Sequence, residues 1–253
     1  MANRPKFFSK ATRLQVFNKS LIVFLTITTI ALNTNKLLAN ELGRKLGSLI
    51  STTPDKGSFS LISNDKSAAL TYSSNDFAGV AKAMNYFKSD LKMVSGNEPQ
   101  LAVDALPAAS QLVIAGTLGH SKLIDQLVSE KKIDLSILNG KWEQFIIQVV
   151  EYPFPGIEKA LIIAGSDKRG TIFGIFELSK QMGVSPWHWW ADVPVETQSN
   201  IYVKAQPFTL GEPAVKYRGI FLNDEEPALG RWAVEKFGGF NSQFYEKMFE
   251  LVL

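Results

Sequence analysis

Asn223, Asp224, Glu225 and Glu226 stand in a row directly after the apolar run Ile220, Phe221, Leu222. Carboxylates placed like this can do general acid/base work, and with an amide beside them they can accept hydrogen bonds from sugar hydroxyls. The plainer alternative is a solvated turn and helix cap, with Pro227 marking a chain reversal. In an extended segment, alternation puts Asp224 on the face of Ile220 and Leu222, and Asn223 with Glu225 on the face of Phe221. Only one of these sets can point into a shared interior. Asp224 and Glu226, close together on one strand face, are also poorly placed for inverting hydrolysis, which holds its two carboxyl groups about 6.5–9.5 Å apart to admit a water. An independent enzyme using that pair as its acid and base is therefore disfavoured, while a sugar-binding role and a solvated turn both stay open. Trp232 and Phe237, on the stretch that follows, are further candidate contacts.

Two other constellations carry chemistry less well. The loop G-S-D-K-R-G-T, Gly165 to Thr171, lies between a strand pattern and a helical one, where backbone amides can hold an anion. A nucleotide loop would need lysine after its second glycine; Thr171 stands there, and Lys168 lies inside the loop instead. The favoured reading is Ser166 or Asp167 as helix cap and Gly170 as a tight-turn residue. In S-P-W-H-W-W-A-D-V-P, Ser185 to Pro194, three of the five tryptophans gather around His188. Tryptophans can stack on sugar faces, but three of them beside two prolines are read here as a packed wedge between domains. His188 among rings reads as a satisfied buried histidine, and His120 is remote in sequence. With no cysteine in the chain, a disulfide framework, a thiolate metal site and a cysteine nucleophile are excluded. No metal and no cofactor are expected.

An apolar strand tipped with acids and followed by a helix is the opening unit of a (β/α)8 barrel, whose catalytic groups sit at the strand ends. Gly238 and Gly239 read as a turn, and Asn241 or Ser242 as the cap of a last helix. The other seven units are missing, so residues 217–253 are expected to be the start of a truncated barrel. Ahead of it, strand patterns at 59–63, 68–73, 112–115, 145–150 and 160–164 alternate with helical patterns. These cover 77–91 with an end at Gly96, 123–131, and 171–182 closed by Gly183. The alternation predicts a layered α/β domain over 58–204, with a short strand at 201–203. Residues 205–216, holding Pro207, Gly211 and Pro213, read as a linker.

The N-terminus is built differently. Arg4, Lys6, Lys10, Arg13 and Lys19 precede the apolar run Leu21 to Leu32, and no acid occurs before Glu41. This is the layout of a signal peptide, assigned to 1–39 and followed by a polar segment at 40–57. The run falls short of the roughly 20 apolar residues of a membrane span, so a secreted or periplasmic location without a stable membrane anchor is expected. The formal charge of +3 becomes −3 once this leader is set aside, with 21 basic residues against 24 acidic ones. That balance gives no electrostatic case for nucleic acid.

Four stretches together resemble the N-terminal part of glycoside hydrolase family 115. They are R-G-I-F-L-N-D-E-E-P-A-L (Arg218 to Leu229), K-F-G-G-F-N-S-Q-F-Y (Lys236 to Tyr245), G-S-D-K-R-G-T-I-F-G-I-F-E-L-S (Gly165 to Ser179) and S-P-W-H-W-W-A-D-V-P. The resemblance runs from about residue 58 onward. It implies an inverting α-glucuronidase that releases (4-O-methyl)glucuronic acid from xylan or related polysaccharides. It also implies an α/β domain followed by a catalytic (β/α)8 barrel, a helical region and often a β-sandwich. Asn223, Asp224 and Glu225 match a family motif in the sugar pocket, while the general acid and base are expected on later strands. A chain holding only the first barrel unit is expected to be an inactive fragment. The competing class is a non-catalytic carbohydrate-binding or domain-docking α/β module.

Overall fold

The structure is a computed structural model that describes residues 48–252; the expected signal peptide at 1–39 lies outside the described residues. In chain order the elements are β1 (Ile50–Ser51), β2 (Phe59–Ser63), β3 (Lys66–Ser67), β4 (Ala69–Tyr72), α1 (Ala78–Ser95), β5 (Leu101–Val103), β6 (Gln111–Thr117), α2 (Lys122–Ser129), a 3-10 turn (Ser136–Leu138), β7 (Phe145–Glu151), β8 (Lys159–Gly165), α3 (Lys168–Gln181), α4 (Trp187–Trp190), β9 (Asn200–Val203), α5 (Leu229–Phe237) and α6 (Ser242–Val252). Leu112 to Ala115 and Ala160 to Ala164 are apolar at every position, as strands buried on both faces must be. They lie in β6 and β8 inside a five-stranded sheet of order β5-β4-β6-β8-β7. All its pairings are parallel except β7, which runs antiparallel along β8 with Ile147 opposite Ile163.

Each face of this sheet has its own cover. Val113, Ala115, Leu161 and Ile163 face α1 and α3, where Val80, Met84, Phe87 and Leu91 recur at helical spacing beside Ile172, Ile175 and Leu178. Leu112, Ile114, Ile162 and Ala164 face the other way, onto Ile124 and Leu127 of α2. The result is a layered mixed α/β fold. A smaller antiparallel sheet, β1-β9-β2-β3, contributes Phe59, Leu61, Ile201 and Val203 to the first of these cores. Gly96 ends α1 in the left-handed region at φ 75°, and its N–H donates to the Lys92 carbonyl.

Several local expectations change. Asp167 caps α3 by accepting from the Gly170 N–H at 2.8 Å, but Gly170 is no turn residue. It sits in the first helical turn because a Cβ there would lie 2.3 Å from the Gln144 carbonyl oxygen, so only glycine lets the helix start this close to the sheet. Residues 205–216 carry no named element, yet Phe208 exchanges backbone hydrogen bonds with Ile147 at 2.8 Å each way along the free edge of β7. The stretch expected to be the first barrel strand, 218–226, is not a strand in this structure. No described strand lies alongside it to complete a ladder, and Ile220 and Phe221 are 61% and 91% exposed. A helix that sequence reading had not set apart, α5, follows it instead, with Leu229, Trp232, Ala233 and Phe237 at helical spacing.

Candidate functional site

The acid-bearing segment is positioned from its first residue. Glu143, just ahead of β7 and 7% exposed, takes Arg169 Nη1 at 2.9 Å and also binds Arg218 Nη2. Two guanidinium groups on one buried carboxylate match its acceptor sites and offset its loss of hydration. The Arg218 guanidinium also lies 5.8 Å from the Trp142 ring centroid. Arg218 is thereby fixed to the first turn of α3 and to the start of β7, and the chain runs on from it toward the acids.

Asn223, Asp224 and Glu225 are all exposed, and the Glu225 N–H donates to Asn223 Oδ1 at 3.3 Å. Gly230 lies close beneath the loop, since a Cβ there would stand 2.9 Å from the Asp224 carbonyl oxygen and 3.1 Å from Glu226 Oε1. The four expected contacts are brought together only in part. Trp232, on α5, is half-buried in rings: its indole stacks on Trp190 at 4.9 Å and meets Trp189 edge-on at 5.7 Å, with Phe237 also at 5.7 Å. Trp189 and Trp190 of the tryptophan run pack into this cluster, whereas Trp187 is 52% exposed, and Leu222 packs against the same small core of Ala233, Phe244 and Met248. The loop can accept hydrogen bonds from a polyol, and Gly230 and Leu222 hold it against α5 and the small core.

α6 is held to α1 by polar contacts. Asn241 caps it, accepting from the Gln243 and Phe244 N–H groups at 3.1 Å each. Glu246 accepts from the Tyr86 hydroxyl at 2.6 Å and pairs with Lys82 at 3.2 Å. Burial and that carboxylate push the Tyr86 hydroxyl well above its ordinary range, while the Tyr86 bond and Lys82 hold Glu246 down. Beside this seam lies a cavity of about 580 Å³ whose wall includes Asp90, Phe173, Phe176, Ser179, His188 and Glu250. His188 Nδ1 is 2.8 Å from the Ser185 carbonyl oxygen, which makes it the donor there and leaves the ring half-buried. Burial pushes the Asp90 carboxyl up to about 6, with Glu250 adding to the rise and Ser179, His188 and Lys247 opposing it. Sequence reading missed Asp90, although a signal was present: it is an acid on the same helical face as Phe87 and Val94.

Among the described residues no three His, Cys, Asp or Glu side chains are grouped to hold a metal, and no helix is long and apolar enough to cross a membrane. The profile of Glycosyl hydrolase family 115 matches residues 210–253, the stretch from the end of the β7-edge segment through α6. Among solved structures the chain is similar to "A novel family GH115 4-O-Methyl-alpha-glucuronidase, BtGH115A, with specificity for decorated arabinogalactans". The likeness has 33% identity and a TM-score of 0.63, and covers 77% of this chain and 24% of that one. The chain therefore spans about a quarter of the length of that relative. A second structure, "Structure of CpGH84D", aligns at 8% identity and a TM-score of 0.36 over 62% of this chain and 22% of that one, too weakly to bear on fold or function. No curated protein matches. The profile match over the acid-bearing residues and the shared fold of the layers that hold them agree, and the chain belongs to glycoside hydrolase family 115.

Proposed function

We propose that this chain supplies the N-terminal α/β domain and the first strand and helix of the catalytic (β/α)8 barrel of a secreted or periplasmic glycoside hydrolase. The reaction is release of (4-O-methyl)glucuronic acid, with inversion, from a glucuronoxylan-type polysaccharide. Asn223, Asp224 and Glu225 accept hydrogen bonds from the sugar, and Trp232 supports them from below. The observation that carries this reading is the coincidence of the family profile, over 210–253, with the stretch holding these residues, on a fold 33% identical to an α-glucuronidase. Residues 218–226 would become a barrel strand once neighbouring strands offer partners for their backbone groups. Signal peptide 1–39, domain 58–204, linker 205–216 and barrel start 217–253 are the divisions this reading uses.

Over these residues alone no hydrolysis is expected, because an inverting site needs a second carboxyl group about 6.5–9.5 Å across the bond. The test is uronic acid release from glucuronoxylan by the 253-residue chain. It is run beside a chimera in which these residues replace their counterpart in the solved relative. Activity in the chimera that falls at least about tenfold with Asp224→Asn, and none in the short chain, supports the reading. Turnover by the short chain would overturn it. A non-catalytic docking or carbohydrate-binding role is the second reading, favoured by the exposure of Tyr217, Ile220 and Phe221 on one short segment. Pull-down of xylan by the short chain, abolished in Phe221→Ala, would favour that role.

A further inference from the structure

The cavity beside α1, α3 and α6 takes no part in the proposed sugar contact, because Asn223, Asp224 and Glu225 do not line it. Two polar groups in its wall, Asp90 and Ser179, face each other with no cation at ion-pair distance from the carboxylate among the described residues. Asp90 is 7% exposed and makes no ion pair among the described residues. The other lining acids do have partners: Glu177 takes Gln181 at 2.8 Å, Glu250 takes Lys247 at 2.7 Å, Glu212 takes Lys141 at 2.8 Å, and Glu143 takes its two arginines. Ser179 is 3% exposed, lies close to Asp90, and its Oγ has no hydrogen-bond partner. A buried carboxylate with no ion pair and a buried, poorly satisfied hydroxyl both cost free energy, and a ligand that satisfies them recovers it. Phe145, Phe173 and Phe176 supply an apolar floor, and the volume of about 580 Å³ lies within the usual range for small-molecule sites, roughly 300–1,000 Å³.

We propose that this cavity binds a small organic cation, a protonated amine on a compact apolar body. Its ammonium donates to the Asp90 carboxylate and to Ser179 Oγ, and its body lies on Phe173 and Phe176. Five carboxylates and two basic side chains line the space, so an anionic uronate or phosphate is disfavoured. A neutral polyol would leave the Asp90 charge uncompensated, whereas a cation satisfies it and is attracted by the ring faces. The groups facing Asp90 are Glu250 and Lys247 from α6, His188 from α4 and Ser179 from α3. Because burial raises the Asp90 carboxyl to about 6, a cation bound beside it displaces a proton at lower pH, and affinity rises with pH through that value.

Calorimetric titration of the 253-residue chain with phenethylammonium tests this, with 2-phenylethanol as the uncharged isostere and xylose as the polyol. Saturable one-to-one binding of the ammonium is expected, weaker at pH 5 than at pH 7.5. It should weaken about tenfold or more in Asp90→Asn and about fewfold in Ser179→Ala, with unfolding curves showing that both variants fold. The proposal is overturned if the alcohol binds as tightly as the ammonium, if xylose binds and its binding survives Asp90→Asn, or if the folded parent chain shows no saturable binding of phenethylammonium.

Discussion

Replacing Asp90 by Asn keeps the side chain's shape and removes its charge, which isolates the cost of holding a carboxylate among Phe87, Ser179 and the seam to α6. The carboxyl titrates ordinarily at 3.8 and is pushed up to about 6 in the folded chain, chiefly by burial. At pH below 3.8 it is protonated in both folded and unfolded states and contributes no difference. As pH rises, the unfolded chain loses its proton first, so the folded state is progressively destabilised between about 4 and 6, and above that the penalty is complete. A rise of about two units corresponds to roughly 3 kcal/mol at about 1.4 kcal/mol per unit. Asp90→Asn should therefore be more stable than the parent by about 2–3 kcal/mol at pH 7.5, and equal to it within about 0.5 kcal/mol at pH 4. Urea unfolding followed by tryptophan fluorescence at pH 4, 5.5 and 7.5, at fixed ionic strength, gives the difference directly. A gap between the two proteins that does not grow with pH, or a parent that is the more stable at pH 7.5, would refute the reasoning and mean that Lys247 and His188 outweigh desolvation at this position.

Gly170→Ala should destabilise by about 1–3 kcal/mol despite alanine's better helix propensity, because its Cβ would meet the Gln144 carbonyl oxygen at 2.3 Å. Thermal unfolding should show a melting temperature lower by several degrees, and an unchanged value would mean that α3 can shift outward at little cost. Trp232→Ala opens the ring cluster on Trp189, Trp190 and Phe237 and should cost about 2–3 kcal/mol, below the usual range for a fully buried tryptophan because the indole is half-buried. Chemical denaturation checks this, and a change under about 0.5 kcal/mol would show that the cluster carries little of the stability of α5 and α6.

What could be read in the residues followed from local causes. Uninterrupted apolar runs gave β6 and β8, and apolar residues at helical spacing gave α1 with its end at Gly96. The first turn of α3 was missed because Lys168, Arg169 and Gly170 break the apolar period there, although Asp167 was one of the two caps expected. β5 went unread because three residues, Leu101 to Val103, are too few to show a period. Residues 218–226 have the composition of a strand, but a strand exists only where another backbone completes it, and pairing is not written in the segment itself. The acid row at 223–226 drew attention because acids in sequence are visible. Asp90 and Ser179 come together only when α1 and α3 pack, so the cavity they share lay beyond a reading along the chain.

The ties along residues 141–147 bear on where this molecule can bend. Phe208 is bonded to Ile147, Glu212 to Lys141 and to the Trp142 N–H, and Arg218 to Glu143, so a stretch with a linker's composition is stitched to the sheet edge at three points. Such a strap cannot serve as a swivel. Beyond the last stitch the chain passes Gly219, where a Cβ would meet nothing within 4 Å, and is packed again at Leu222. A graft that exchanges the catalytic portion between relatives should keep Glu143, Arg169 and Arg218 on the same side of its joint.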